Sequence, residues 1–244
     1  MVKMTIDGRP VAAAEGSMVL DVARANHIYI PTLCASESVA PYGACRMCIV
    51  DITTRAGRNR LVTSCLYPVE DGLAVKTHTD RVDAHRRLLV QLLLARVPDS
   101  KEIRDMARRL GAGGTPFPQE DPAVHHNCIL CALCTRACAE VVGQSAISLV
   151  NRGIDRRMGI PFFEDTEACI ACGTCSYICP TGAITTTDSD GKRRFDWPYN
   201  SAEFEMAKCS KCGRHWAPKK QIAWMAKKSG QPIEFFDRCQ DCRD

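Results

Sequence analysis

Apolar and polar residues alternate from Val2 through Ile6, which predicts a strand burying one face. Asp7-Gly8 is a turn pair, so Arg9 to Ala12 is expected to return as the second arm of a hairpin. Ser17 is placed to cap a helix carrying Met18, Val19, Leu20, Val22 and Ala23 that ends before Pro31. Ile49 to Ile52 and Leu61 to Thr63 read as paired strands around an Arg55-Ala56-Gly57-Arg58-Asn59 turn. An apolar-rich helix follows from Asp80 to Ala95, and Pro218 to Ser229 is helix-like. Gly111-Ala112-Gly113-Gly114-Thr115-Pro116-Phe117-Pro118 breaks all periodicity and is expected to be the main linker, with residues 188–208 a second, looser one. Ala146 to Asn151 is expected to pair with Ile160 to Glu164 across Arg152-Gly153.

Cysteine changes this picture. The 244 residues hold sixteen, and they divide into four sets of four with none left over. Cys169, Cys172, Cys175 and Cys179 before Pro180 read C-x2-C-x2-C-x3-C-P, the bacterial ferredoxin run for a [4Fe–4S] cluster. Cys128, Cys131, Cys134 and Cys138 repeat the spacing with Ala139 in place of the proline. In such dicluster modules the fourth cysteine of each run serves the other cube. Cys128, Cys131, Cys134 and Cys179 are therefore assigned to one cube, and Cys169, Cys172, Cys175 and Cys138 to the other. Disulfides or zinc fit these two runs poorly, because zinc sites use two well-separated pairs. His125 and His126, just ahead of Cys128, read as polar residues at the start of the loop, since the cysteines already satisfy both cubes.

The first set, Cys34, Cys45, Cys48 and Cys65, is of another type: a long loop, a tight pair and a distant fourth ligand, the logic of a [2Fe–2S] cage. The flanking strands and helix suit a β-grasp domain. Gly43 is expected to let backbone N–H groups approach the sulfurs.

The stretch Tyr29-Ile30-Pro31-Thr32-Leu33-Cys34, with Gly43-Ala44-Cys45-Arg46-Met47-Cys48-Ile49-Val50, resembles the [2Fe–2S] domain of the large iron–sulfur subunit of respiratory complex I. It is similar also to the small diaphorase-side subunit of NAD-linked [NiFe] hydrogenases and to the amino-terminal region of [FeFe] hydrogenases and some formate dehydrogenases. The resemblance covers roughly residues 1–185. It implies a third cluster, held by three cysteines and a histidine after a His-Pro segment. Here the comparable segment reads Val97-Pro98-Asp99-Ser100, with no cysteine between Cys65 and Cys128 and no histidine between His85 and His125. That cluster is expected to be lost, with Lys101 to Leu110 continuing as plain helix and His78 and His85 as ordinary polar residues.

The last set, Cys209, Cys212, Cys239 and Cys242, forms two C-x2-C knuckles around the 218–229 helix. Zinc suits it, with a further [4Fe–4S] cluster or a mononuclear iron as alternatives. Phe204, Trp216, Trp224, Phe235 and Phe236 are expected to pack this lobe, which is too short to bury much apolar surface without a metal.

The expected architecture is α+β: a β-grasp [2Fe–2S] ferredoxin domain over residues 1–78, a helical linker over 79–115, a bacterial-type 2[4Fe–4S] ferredoxin domain over 116–187, and a four-cysteine metal lobe over 188–244. Composition is that of a soluble protein, 45% hydrophobic and 25% charged, with no secretory or membrane-spanning run. So many thiolates point to a reducing, cytoplasmic setting. The formal charge of +4 counts the cysteines as neutral. Each four-thiolate site carries about −2 when loaded, which brings the balance to about −4 and removes the electrostatic support for nucleic-acid binding. Arg104, Arg108, Arg109, Arg152, Arg156, Arg157 and Lys192-Arg193-Arg194 read as solvated faces, some able to dock an acidic partner.

No dinucleotide loop, activated nucleophile, molybdopterin or nickel motif is present. The expectation is a non-catalytic electron-transfer subunit of a larger oxidoreductase. The resemblance implies its partners: a flavin/NAD(H)-binding subunit on one side, and a catalytic hydrogenase, formate dehydrogenase or related reductase subunit on the other. A free-standing ferredoxin-like carrier and an iron–sulfur sensor or scaffold are the alternatives.

Overall fold

The computed structural model describes residues 1–121, 126–160 and 167–243. The chain divides into two units, Met1–Cys131 and Ala132–Asp244.

In the first unit β1 (Val2–Ile6) and β2 (Arg9–Ala13) form the expected hairpin, Ile6 opposite Arg9. Asp7 and Gly8 both take positive φ, 50° and 77°, which matches the twist of a two-residue hairpin turn. The Asp7 carboxylate accepts from Thr77 N (2.7 Å) and Thr77 Oγ1 (2.6 Å), tying the turn to the end of the domain. β3 (Ile49–Thr53), β4 (Asn59–Thr63) and β5 (Ala74–Lys76) complete a sheet in the order β2-β1-β5-β3-β4, with β1 and β5 parallel. Val2, Met4, Ile6, Val50, Ile52 and Val75 face Val19, Leu20, Val22 and Ala23 of α1 (Val19–Ala25) across one buried core.

Ser17 does not cap α1. The N-cap is Met18, without a side-chain cap, because residues 17–19 are already bound as an extended segment: Ser17 O accepts from Val69 N and Val19 N donates to Tyr67 O. α2 (Asp80–Arg96) and α3 (Lys101–Arg109) are both capped, Thr79 Oγ1 accepting from Val82 N (3.2 Å) and Ser100 Oγ from Ile103 N (3.4 Å). They pack on each other around Val90, Leu94, Ile103 and Met106, and Leu33 and Met47 from the cysteine loop enter the same cluster. The 111–118 segment lies outside regular structure, yet it does not simply bridge domains. Ala112 is buried with α2 and α3, and Glu120 N donates to Ala95 O (2.7 Å).

The second unit opens with two short helices, α4 (Leu133–Arg136), running into a π turn at Ala137–Val141, and α5 (Thr174–Tyr177). Between them β6 (Ser148–Val150) pairs with β7 (Arg157–Gly159). A hairpin is therefore present, but its second arm is Arg157–Gly159, ahead of the expected Ile160 to Glu164, and the shorter connection holds a 3-10 turn at Gly153–Asp155; residues 161–164 lie outside the described part.

Residues 188–208 are not a loose linker. β8 (Thr185–Ser189), β9 (Lys192–Trp197), β10 (Asn200–Lys208) and β11 (His215–Pro218) form an antiparallel sheet. Phe195, Trp197, Phe204 and Met206 are buried on it, alternating with paired charges: Lys192 with Glu203, Arg194 with Asp196. The stacked Phe195 and Trp197 rings lie 5.1 Å apart, and Phe204 meets Phe195 edge-on. The period-2 pattern was there to read; the charges between the aromatic residues made it look solvated. α6 (Lys219–Ser229) follows, ended by Gly230 at φ 69°.

Candidate metal centres

The loop from Thr32 to Cys48 gathers the first four sulfurs in two pairs. Cys34 lies in hydrogen-bond contact with Cys45, and Cys48 with Cys65. Cys34, Cys48 and Cys65 are at most 3% exposed. The contact with Cys34, with burial, pushes the Cys45 thiol far up; Cys65 is pushed up by Cys48 in the same way, while Cys48 is held down at about 6 by Cys65. These four residues would hold a [2Fe–2S] cluster, which would supply one-electron chemistry there. Amide groups also reach the sulfurs: Cys45 N lies 3.4 Å from Cys34 Sγ, and the Met47 and Leu33 amides face Cys45. Gly43 takes a φ of 69°, in the left-handed region that favours glycine, and a Cβ there would meet the movable end of the Leu66 side chain.

In the second unit Cys138, Cys169, Cys172 and Cys175 line one cavity, and Phe195 and Trp197 of β9 form part of its wall. Burial pushes Cys175 up to about 12 and Cys169 to about 11. Cys138 is raised by burial too, and these thiols repel one another as anions. Ala146 N donates to Cys138 Sγ at 3.3 Å and Ala183 N to Cys179 Sγ at 3.3 Å. The buried Trp197 Nε1 has no partner at ordinary hydrogen-bond geometry; the Cys175 sulfur stands before it as a weak acceptor, a contact that offsets part of the upward push of burial. Left-handed backbone recurs in the C-x2-C loops at Arg46, Leu130, Ala132, Ala171 and Gly173, the conformation that turns successive amides toward an anionic centre. Cys128 and Cys131 fall in the first unit, Cys134 and Cys179 in the second.

Residues outside the cysteine runs support this centre. Arg193, only 17% exposed, donates to Ala171 O (3.1 Å) and to both oxygens of Asp188 (2.7 Å each), so it anchors a cysteine loop and is not part of a solvated basic face. With its amide oriented to satisfy both neighbours, Gln144 donates to Ala168 O (3.0 Å) and accepts from Trp224 Nε1 (2.7 Å). Trp224 thus ties α6 to the cysteine module instead of simply filling the terminal lobe. Neither Arg193 nor Trp197 carried a sequence signal beyond the strand alternation. His78 pairs with Asp83 and His85 with Arg81 O; His125 lies outside the described residues.

The last four sulfurs, of Cys209, Cys212, Cys239 and Cys242, lie within 4.8 Å of one another. Cys209 and Cys212 sit in the β10–β11 turn, where Gly213 N donates to Cys209 O and Cys209 N to Arg214 O, both at 2.9 Å. Amides of Cys239, Cys212 and Lys211 hold the Cys209 thiol down at about 6, whereas contact with Cys239 pushes Cys242 up to about 12. Arg214 bonds Asp241 and approaches Cys239 Sγ at 3.6 Å. Among the described residues Ala217, Ile222 and Phe236 form the buried cluster nearby, with Trp216 packed against it, and Phe235, though 48% exposed, meets Phe236 edge-on with ring centroids 5.2 Å apart.

Comparison with known proteins agrees with this chemistry. Residues 1–80 match the family of 2Fe-2S iron-sulfur cluster binding domains, and residues 127–183 the 4Fe-4S dicluster domain. The chain is 32% identical over 237 residues to an NADH-quinone oxidoreductase subunit of Rhizobium meliloti, covering 87% of this chain and 27% of that protein. It is 34% identical over 212 residues to NADPH-Fe(3+) oxidoreductase subunit alpha of Geobacter sulfurreducens, with 75% and 24% covered. It is 33% identical over 213 residues to NADP-reducing hydrogenase subunit HndD of Solidesulfovibrio fructosivorans, with 75% and 36% covered. A chain in the crystal structure of an NAD+-reducing [NiFe]-hydrogenase in the H2-reduced state superposes with a TM-score of 0.57 at 28% identity, over 65% of this chain and 74% of that one. The chain spans about a quarter to a third of the length of these curated relatives. Among the described residues no helix is long and apolar enough to cross a membrane. The chain is thus an iron–sulfur protein with a 2Fe-2S domain and a 4Fe-4S dicluster domain, resembling the iron–sulfur subunits of NAD(P)-linked oxidoreductase and hydrogenase complexes.

Proposed function

We propose that this chain relays single electrons inside a multi-subunit oxidoreductase, between a flavin/NAD(H)-binding subunit and a catalytic hydrogenase, formate dehydrogenase or related reductase subunit. The amino-terminal domain is a β-grasp fold whose Cys34, Cys45, Cys48 and Cys65 would hold one [2Fe–2S] cluster. The middle domain is a bacterial-type 2[4Fe–4S] module with crossed ligation, Cys138 serving the cube of Cys169, Cys172 and Cys175, and Cys179 that of Cys128, Cys131 and Cys134. When bound, the clusters supply reversible one-electron chemistry at potentials set by their surroundings. The protein's part is to exclude water, aim amides at the sulfurs and hold the ligands apart from competing disulfide chemistry. What supports this reading above all is the cavity shared by Cys138 with the three cysteines of the other run, 31 residues or more away in sequence.

Cys209, Cys212, Cys239 and Cys242 are proposed to hold one zinc as a closed structural site. Tetrahedral ligation at a Zn–S distance of about 2.3 Å places sulfurs about 3.8 Å apart. Cys212 Sγ and Cys239 Sγ are 3.9 Å apart, close to that value, whereas a four-iron cube would spread its thiolates wider.

Anaerobically purified protein should contain about ten irons, from one [2Fe–2S] and two [4Fe–4S] clusters, together with one zinc. Cys138→Ser should perturb the EPR signal of the cube that Cys169→Ser perturbs. Iron near two per chain would overturn the dicluster, and a Cys138→Ser effect confined to the cube sensitive to Cys128→Ser would overturn the crossing.

A further inference from the structure

α2 buries Val82, Arg86, Val90 and Leu94, one residue every four along a single stripe. Three are apolar, as a core-facing stripe requires. The fourth is an arginine with no exposed surface at all. Its guanidinium makes one hydrogen bond, Nη2 to Ile49 O at 2.7 Å, while Nε and Nη1 are buried without any partner.

A buried cation in this state is costly unless an anion compensates it. Among the described residues no carboxylate bonds it directly. Asp83 is engaged with His78 at 3.2 Å and is 38% exposed, and the Asp7 carboxylate is occupied by Thr77. Burial lowers the guanidinium's affinity for its proton; Asp83 opposes this most, and Cys48 next. Ile49, whose carbonyl receives the hydrogen bond, directly follows Cys48 in the chain. With Asp83 and Asp7 engaged by His78 and Thr77, the four-thiolate centre, whose Cys48 adjoins the carbonyl that Arg86 holds, is the anion left to answer this cation.

We propose that Arg86 is the buried countercharge of the [2Fe–2S] centre and raises its reduction potential. This rests on the [2Fe–2S] reading of Cys34, Cys45, Cys48 and Cys65. The physical basis is that one-electron reduction makes an already anionic centre more negative, so a fixed positive charge in a low-dielectric surrounding favours the reduced form over the oxidised one. Arg86 touches no reacting atom in this account; it is a positioning residue acting through the field and through the Ile49 carbonyl.

The test is an EPR-monitored redox titration of the whole protein, read at a temperature where the [2Fe–2S] signal is separated from those of the cubes, for wild type, Arg86→Met, Arg86→Gln and Arg86→Lys. The neutral variants should shift the one-electron equilibrium at least tenfold toward the oxidised form, about 59 mV, with Arg86→Lys keeping most of the wild-type value. An unchanged potential in a neutral variant with full cluster content overturns the inference. If both neutral variants lose the cluster while Arg86→Lys retains it, the charge is needed for assembly and the countercharge stands. Loss in all three makes the role one of packing and overturns it. Absence of a [2Fe–2S] signal from wild type would instead sink the underlying reading.

Discussion

The first and last cysteine sets both bring four sulfurs together, but by opposite means. Cys48 and Cys65 belong to the same buried core as β1, β3, β5 and α1, and Leu33 and Met47 of the loop are packed under α2 and α3. That domain has enough apolar surface to fold around its sulfurs. The terminal set hangs on a hairpin turn and a final 3-10 turn, with Cys212 exposed and a buried cluster of three residues beside it. There the ion would supply what the core does not. On the proposed reading, the fold makes the metal site in one region, and the metal site would hold the fold together in the other.

Cys239→Ser should produce the largest effect and separate the two regions most sharply. A structural zinc contributes on the order of 10 kcal/mol to folding, so the variant should lose its zinc and the hydrogen-exchange protection of residues 209–242. Protection of β1, β3 and β5 should stay as in wild type. Equal loss of protection in both regions would break the comparison. Ile6→Ala is the reciprocal probe. Ile6 is fully buried in β1, and its truncation should cost the amino-terminal domain about 2–5 kcal/mol, lowering its unfolding temperature while zinc content stays at one per chain.

Smaller changes sharpen the contrast. Thr79→Ala removes the cap on α2, and Gly230→Ala forces a Cβ into the left-handed end of α6; each should cost about 1 kcal/mol. The Thr79 variant should open only the first turn of a helix held by a large core, seen as faster exchange at residues 80–83. The Gly230 variant acts on a helix burying Ile222 alone, so its effect should spread along α6 and be largest after zinc is chelated.

Much of this was legible beforehand where the signal is local. The β1–β2 turn needed only Asp7-Gly8 between alternating segments, and α2 only its apolar run. The sheet of residues 185–218 was missed because its apolar positions are separated by Arg193, Arg194 and Asp196, whose charges are neutralised by cross-strand and neighbouring partners that a linear reading does not reveal. The Ser17 cap failed for a related reason: backbone bonds from residues 67 and 69 had already claimed that segment.

By itself the amino-acid sequence marked the chemistry: the cysteine spacing of a 2Fe-2S domain, that of a 4Fe-4S dicluster domain, and a further group of four cysteines. Ligand spacing is a local property of the backbone, and a C-x2-C turn encloses a metal whatever surrounds it. Tertiary structure alone decided the surroundings: that Cys34 pairs with Cys45 and Cys48 with Cys65, that Trp197 faces Cys175, and that Arg86 is buried in an apolar stripe on the carbonyl that follows Cys48. Those are contacts between segments tens of residues apart, and their geometry follows from sheet register and helix packing, which no short stretch of sequence encodes.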